Sequence, residues 1–496
     1  MFRPSSKTVS EKPFPPTASM RPGESWSGSP VSSQSTIPPV SPVTGRVVLR
    51  VRVPKRMRNL EFVLILFALG LSAIAMALVQ FGAQGGLDLR VFGYVGGLAV
   101  LVLLVHLAVR WLAPDADPFV VPIATMLNGL GITMIHRLDL ADGMSGWQAT
   151  GIRQIAWTAV ALLLVVIVLV VIRNHRVLQR YRYLAMLAGV VLLVLPLIPP
   201  IGRTVNGATL WVEFGQISFQ PGESPRLRSP SFSRDTFLTA KDSLVVAGKQ
   251  LLGMRWPRIR DLGPLLAVWA LSLGVLVFQR DFGTSLLYFG LFLAMLFIAT
   301  DRFIWIVVGG GLFLVGALAV GSQIAYVQGR IAGWLNSFSP EVYEATGGSY
   351  QLVQGLFGFA EGGFIGQGWG QGQPDLVPLA HSDYIVAALG EELGLVGVFA
   401  ILALYLLLIS RGFRVGYLGT EDFGRLLATG LAFVMALQVF VVIGGLTRLI
   451  PVTGLTTPFL AAGGSSLVAN WVIVALILRL SDDATKRENR MRATKP

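Results

Sequence analysis

The residues through which this sequence can do chemistry are acids placed at the edge of long apolar runs, or inside them. Asp383 heads the run DYIVAALGEELGLVG, two residues after His381, and Glu391 and Glu392 follow eight and nine positions later. A carboxylate at a water–lipid boundary can take a proton from a polar head group. The same Asp can instead open a helix as its N-cap, accepting backbone N–H bonds. His381, as a surface or interfacial side chain, needs no ligand. On a helix rising 1.5 Å per residue, Glu391 and Glu392 lie roughly 12 Å below Asp383. At that depth they must face a protein or water-filled interior, as hydrogen-bonding partners of another helix or as second acids in a relay. No His, Asp or Glu group has metal-ligand spacing, so no metal site is read. The chain has no cysteine, which excludes disulfides and thiolate chemistry.

The elements that must carry these acids follow from composition. Of 496 residues, 53% are hydrophobic and 14% charged, against about 25% charged in soluble domains. The apolar residues come in blocks of about 17 to 28, long enough to cross a bilayer as helices. This predicts an all-α polytopic membrane protein. Spans are expected at about 59–80, 91–113, 119–135, 153–172, 183–199, 262–279, 284–300, 303–322, 383–410, 424–447 and 466–481. Residues 1–45, rich in Pro, Ser and Thr, read as a disordered cytoplasmic tail without the apolar core of a signal peptide. Residues 46–58 form a basic juxtamembrane segment, and 482–496 a basic cytoplasmic tail.

The net charge of +13 sits in short segments flanking the apolar blocks. That is the pattern of the positive-inside rule, so the charge reports topology and not nucleic-acid binding. Arg173 to Arg182, Arg411 to Arg425 and the C-terminal tail read as cytoplasmic, and both termini with them. The loops at 200–222 and 323–382 are almost free of Lys and Arg and read as outside. One stretch breaks the scheme. A crossing is required through about 224–241, yet SPRLRSPSFSRDTFLTAK carries Arg226, Arg228, Arg234 and Asp235. Four charges at mid-bilayer cost roughly 10 kcal/mol. Either eleven helices cross, with one terminus on the unexpected side, or a twelfth crossing has been degraded here.

Three outside segments are unusual. Glycines cluster at 362, 363, 366, 368, 370 and 372 in the loop before Asp383, allowing tight turns and close backbone approach to a ligand. The segment NGATLWVEFGQISFQPGESPR ends with Glu223 and Arg226 at a spacing that can pair on a helix face. RLIPVTGLTTPFLAAGGSSLVANW, from Arg448, carries helix-breaking Pro and Gly at membrane depth, tolerated only where buried in protein or lining a cavity.

Taken together, these segments resemble the SEDS (shape, elongation, division and sporulation) family over about residues 59–481. HSDYIVAALGEELGLVG is similar to the family's HTDFIFAVxGEELGxxG, and YQLVQGLFGFAEGGFIGQGWGQGQ to its YQxxQSLxAxGxGGxxGxGxGxGQ. FQPGE, QRDFGTSLL and TGLTTPFLAAGGSSLVAN match three further motifs in family order, and GQPDLVP with FQPGE sits nearer the actinobacterial RodA branch. The resemblance implies a peptidoglycan glycosyltransferase that polymerises lipid II at the outer face of the bacterial cytoplasmic membrane, beside a class B penicillin-binding protein. It places the essential aspartate on Asp383 and the acid pair on Glu391 and Glu392, with 323–382 as the catalytic loop. Substrate-binding positions implied are Arg203, Glu223, Arg226, Gln351, His381, Ser382, Arg448, Ser465 and Ser466. The cofactor stays open between none and a divalent cation, for which no ligand cluster is visible.

The sequence departs from the family in three places. Ser382 replaces a threonine, Ala461 and Ala462 replace a Ser-Tyr pair, and SPRLRSPSFSRD stands where the family continues as an apolar helix. The last coincides with the stretch that breaks the charge scheme and reads as a local frame shift with a compensating shift downstream. Two other functions fit a many-helix chain: a lipid flippase, which predicts an inverted repeat and midplane ionisable groups, and a non-catalytic scaffold for a transpeptidase. No repeat is visible, and the richest polar loop lies outside the bilayer.

Overall fold

The computed structural model describes residues 57–173 and 281–493, except positions 322, 324, 346 and 420, with short pieces between 191 and 279. The tail 1–45, the basic residues 46–56 and the charged stretch 224–241 lie outside the described residues, as do the expected spans 183–199 and 262–279 apart from isolated positions. Four helices open the described chain: α1 (Met57–Gln84), α2 (Phe92–Leu112), α3 (Val120–Ala141) and α4 (Thr150–Val171). After the gap come α5 (Phe282–Thr300), α6 (Ile304–Gly321), α7 (Ala325–Leu335), α8 (Pro340–Glu344) and α9 (Tyr350–Gly362). The chain ends in α10 (Ile385–Leu418), α11 (Asp422–Leu446) and α12 (Gly464–Ala493). Seven helices among the described residues are long and apolar enough to cross a membrane. The protein is a multi-pass helical membrane protein, as its composition requires. Large side chains such as Phe67 on α1 and Leu406 on α10 stay exposed on the bundle, which suits a helix face solvated by lipid.

Helix α3 explains how the bundle tolerates polar groups. It spans 22 residues, about 33 Å at 1.5 Å per residue, yet carries Thr125, Asn128, Thr133, His136, Arg137 and Asp139. All six are buried, because α1, α2, α4, α10 and α12 surround it. A helix shielded from lipid by its neighbours can carry such groups where a lipid-facing one cannot. Asp139 then caps α4, accepting the backbone N–H groups of Thr150 at 2.9 Å and Gly151 at 2.7 Å.

The two ends of the bundle differ in chemistry. At the basic end, buried Arg58 and His106 both pair with Glu61, and Arg479 and Lys486 pair with Asp482. Asp482 also accepts the backbone N–H of Asp115. Helix α12 runs through these pairs to Ala493, so the stretch read as a tail continues the last helix. At the opposite, polar-loop end, the described residues of 323–382 hold α7, α8 and α9. The other polar loop contributes a three-stranded antiparallel sheet, β1 (Gly202–Val205), β2 (Ala208–Phe214) and β3 (Ile217–Phe219), and a second, two-stranded sheet pairs β4 (Gln250–Leu251) with β5 (Met254–Arg255).

Candidate active site

Asp383 lies at the polar-loop end, two residues before α10 begins. The helix's N-cap position is Tyr384, with no side-chain cap bond. The capping role open to Asp383 in the sequence is therefore not the one it takes. Its carboxyl is half-buried, and burial raises its pKa from 3.8 to about 6 against the opposing pull of its own backbone N–H and of Arg330. A carboxylate with that pKa is mostly ionised at neutral pH and basic enough to accept a proton.

The flanking residues fix this position through backbone contacts. The carbonyl of His381 accepts the N–H of Ala462 at 2.7 Å, joining the Asp383 turn to the broken segment after α11. The His381 ring loses basicity to burial, so it is neutral at physiological pH. The backbone N–H of Ser382 donates to the Leu379 carbonyl at 2.9 Å, and Gln351 donates from α9 to the Pro378 carbonyl at 2.7 Å. Arg330 on α7, close enough to act on Asp383, donates to the Val452 carbonyl at 2.6 Å. Sequence reading passed over it. The available signal was that Arg330 is the sole Lys or Arg in 323–382.

The other expected binding residues divide by location. Arg448 donates to the carbonyls of Trp334 and Leu335, both at 2.8 Å, and binds α7 to the segment after α11. Ser466 accepts a hydrogen bond from Thr456 at 2.8 Å and one from Asn470, fixing the same segment to the start of α12. Ser465 is buried beside it. Arg203 sits on β1, paired across the strands with Trp211, while Glu223 and Arg226 lie outside the described residues. The structure thus sets Asp383, His381 and Ser382 in one turn held by Gln351, with Ser465 and Ser466 at the start of α12, which follows the adjoining segment.

Glu391 and Glu392 act on a glycine strap, residues 363–373. Helix α10 breaks at Gly394, which takes φ 67° and ψ −172°, a region essentially reserved for glycine. The break removes the bonds that Leu395 and Val396 would make to the carbonyls of Glu391 and Glu392. The strap supplies replacements on both sides. Gln367 and Gly368 donate to those two carbonyls at 3.0 and 2.9 Å, and Gly363 and Phe364 accept from Leu395 and Val396 at 3.0 and 3.2 Å. A broken helix at membrane depth is stable only when its freed groups are met in this way. The acid side chains add two pins. Glu391 accepts the backbone N–H of Gln373 at 2.6 Å, and Glu392 pairs with Arg137 of α3 at 3.0 Å. Arg137 also donates to the Gly372 carbonyl at 2.7 Å. Of the glycines in this cluster, Gly362, Gly366 and Gly370 lie close against protein backbone. A Cβ at Gly366 would lie 2.3 Å from the Glu392 carbonyl oxygen.

Gly394→Ala tests the break. Its Cβ would sit 2.3 Å from the Gly366 nitrogen, and alanine cannot hold φ 67° without strain of about 1–3 kcal/mol. We expect a lower apparent Tm in detergent than for Gly310→Ala on α6, where a Cβ meets open space. Equal melting of the two would contradict the described geometry.

No three His, Asp or Glu side chains among the described residues converge as metal ligands. The sequence profile of the FtsW/RodA/SpoVE family, described as cell cycle protein, matches residues 118–486. The chain is 44% identical over 434 residues to peptidoglycan glycosyltransferase RodA of Mycobacterium tuberculosis, covering 86% of this chain and 91% of that one. It is 33% identical to the probable peptidoglycan glycosyltransferase FtsW of Trichlorobacter lovleyi, over 62% of this chain and 77% of that one. A solved structure described as structural coordination of polymerization and crosslinking by a peptidoglycan synthase complex aligns with a TM-score of 0.50 at 25% identity. That alignment covers 79% of this chain and 97% of the other.

Proposed function

This chain belongs to the FtsW/RodA/SpoVE family of cell cycle proteins, and on that premise we propose that it is a peptidoglycan glycosyltransferase. It polymerises lipid II at the outer face of the cytoplasmic membrane, for cell elongation or division. The observation that carries the reading is Asp383: a half-buried carboxyl at the bundle end, free of a capping role and with its pKa raised to about 6. The donor is a glycan held by an undecaprenyl pyrophosphate, so the reacting groups must meet at the membrane surface. The Asp383 carboxylate takes the proton of an acceptor sugar hydroxyl, which is a poor nucleophile until then. The hydroxyl oxygen attacks the anomeric carbon with inversion. The carbon–oxygen bond to the pyrophosphate breaks, and its electron pair leaves with the lipid pyrophosphate. Asp383 then returns its proton to water.

The leaving charge needs cations or amides. Arg330, which acts electrostatically on Asp383, joins the sequence candidates Arg203, Arg226 and Arg448 for that role. The likeness to a protein of a polymerising and crosslinking complex supports a class B penicillin-binding protein as partner. The basic end faces the cytoplasm by the positive-inside rule, and both chain termini lie on that side.

Purified protein given lipid II, with and without the partner, is expected to form glycan strands. Transfer of lipid II across vesicles without strand formation would point to a flippase, and no activity of either kind to a scaffold. The sign of the pH dependence follows from the base. Below about pH 6 Asp383 holds a proton and cannot accept another, so kcat/KM should fall about tenfold per pH unit there and level off above it. A profile flat through that range would remove Asp383 from the role of base.

A further inference from the structure

We propose that the hairpin α1–α2, which precedes the family-matched core at 118–486, is a positioning element for the glycine strap and, through it, for the helix that presents Asp383. The inference rests on the polymerase reading. The last turn of α1 meets the strap backbone to backbone. A Cβ at Gly82 would lie 2.4 Å from the Trp369 carbonyl oxygen and 3.2 Å from the Gly370 Cα. In return, a Cβ at Gly370 would lie 2.8 Å from the Val79 carbonyl oxygen and 2.9 Å from the Ala83 nitrogen. Gln371 donates across the same contact to the Gly82 carbonyl at 3.2 Å.

The strap has no regular secondary structure over most of its length, and three of its glycines hold positive φ between Gly366 and Gly370. Its path must therefore be imposed from both sides. On one side it fills the break in α10; on the other it rests on α1. The hairpin is in turn packed on the core, α1 against α3 and α2 against α4. Arg137, which holds Gly372, lies on that same α3. Displacing α1's last turn moves the strap's outer edge, and the inner edge is bonded to the helix that begins two residues after Asp383. Displacements of about 1 Å far from a reacting centre can cost about 10²-fold in rate.

Gly82→Leu tests this, with Gly70→Leu on the same helix as control, because a Cβ at Gly70 meets nothing within 4 Å. We expect Gly82→Leu to lower kcat for lipid II polymerisation about 10- to 100-fold with KM held within about threefold. Amide exchange over 363–373 should quicken in it, while Gly70→Leu matches wild type on both measures. If Gly82→Leu does not fold, Gln371→Ala decides, with a smaller fall in kcat and the same local rise in exchange. Wild-type turnover in the deciding variant, slowed turnover with unchanged strap exchange, or equal slowing by Gly70→Leu would each overturn the proposal. A wild-type protein that forms no strands would end the polymerase reading instead, and the exchange contrast would still report on the strut.

Discussion

Purified Asp383→Asn is expected to lose lipid II polymerisation by about 10²- to 10⁴-fold while folding at least as well as wild type. The two halves of this expectation have one cause. Burial raises the pKa of Asp383 from 3.8 to about 6, so the folded protein holds the proton more tightly than the unfolded chain does. Stability therefore falls as pH rises across that window, and at neutral pH the full cost of keeping the ionised form half-buried is present. Asparagine has the same shape and no charge. It removes that cost and with it the carboxylate to which the acceptor's proton is assigned. The measurement is strand formation from lipid II beside the apparent Tm at pH 7. A variant that polymerises at near wild-type rate would sink the base assignment. A variant that loses activity together with a large drop in apparent Tm would make Asp383 a structural residue.

The residual rate adds a second check. Once the carboxyl is gone, the inflection near pH 6 should vanish from the rate profile of Asp383→Asn. An inflection that persists would belong to another group, with His381 the nearest candidate whose own pKa is displaced by burial.

Why Asp383 was visible in the sequence and Arg137 was not is a matter of range. Asp383 stands within a contiguous motif at the edge of an apolar run, so its place at the boundary follows from local pattern. The spans are legible for the same reason, because a bilayer demands about 20 consecutive apolar residues. Arg137 also stands near the end of an apolar run, where a charge is ordinary, and its partner Glu392 is 255 residues away. Nothing local distinguishes a boundary arginine from one that reaches into a neighbouring helix. The glycine strap was half legible. Its composition announced close backbone approach, but glycine says only that something comes near. It does not say whether that is a ligand, the carbonyls of α10 or the last turn of α1. The sheet at 202–219 was missed outright, because strands of 4, 7 and 3 residues in a polar loop give little signal beside helix-length apolar blocks.

Replacing Arg137 by Met should be among the most damaging single changes in the bundle, and the damage should be largely reversed by a second change at Glu392. Both side chains are buried, Glu392 almost completely. Removing the guanidinium alone strands a carboxylate without its counter-charge, which costs about 3–5 kcal/mol. Glu392→Gln alone is milder. The neutral amide keeps an oxygen for Arg137 to donate to, and the arginine retains its bond to the Gly372 carbonyl. In Arg137→Met with Glu392→Gln no charge is left unpaired, so the apparent Tm should recover most of what the single arginine change loses. Activity should not recover with it. The Gly372 carbonyl has still lost its donor, and the strap has lost the pin that ties it to α3. We expect the double variant to melt near wild type yet polymerise lipid II about tenfold more slowly, a loss of about 1.4 kcal/mol in transition-state stabilisation. If it melts as low as Arg137→Met, the pair does not act through charge compensation. If it polymerises at the wild-type rate, Arg137 is a folding residue alone, and the strap is held by Glu391, Gly394 and α1 without it.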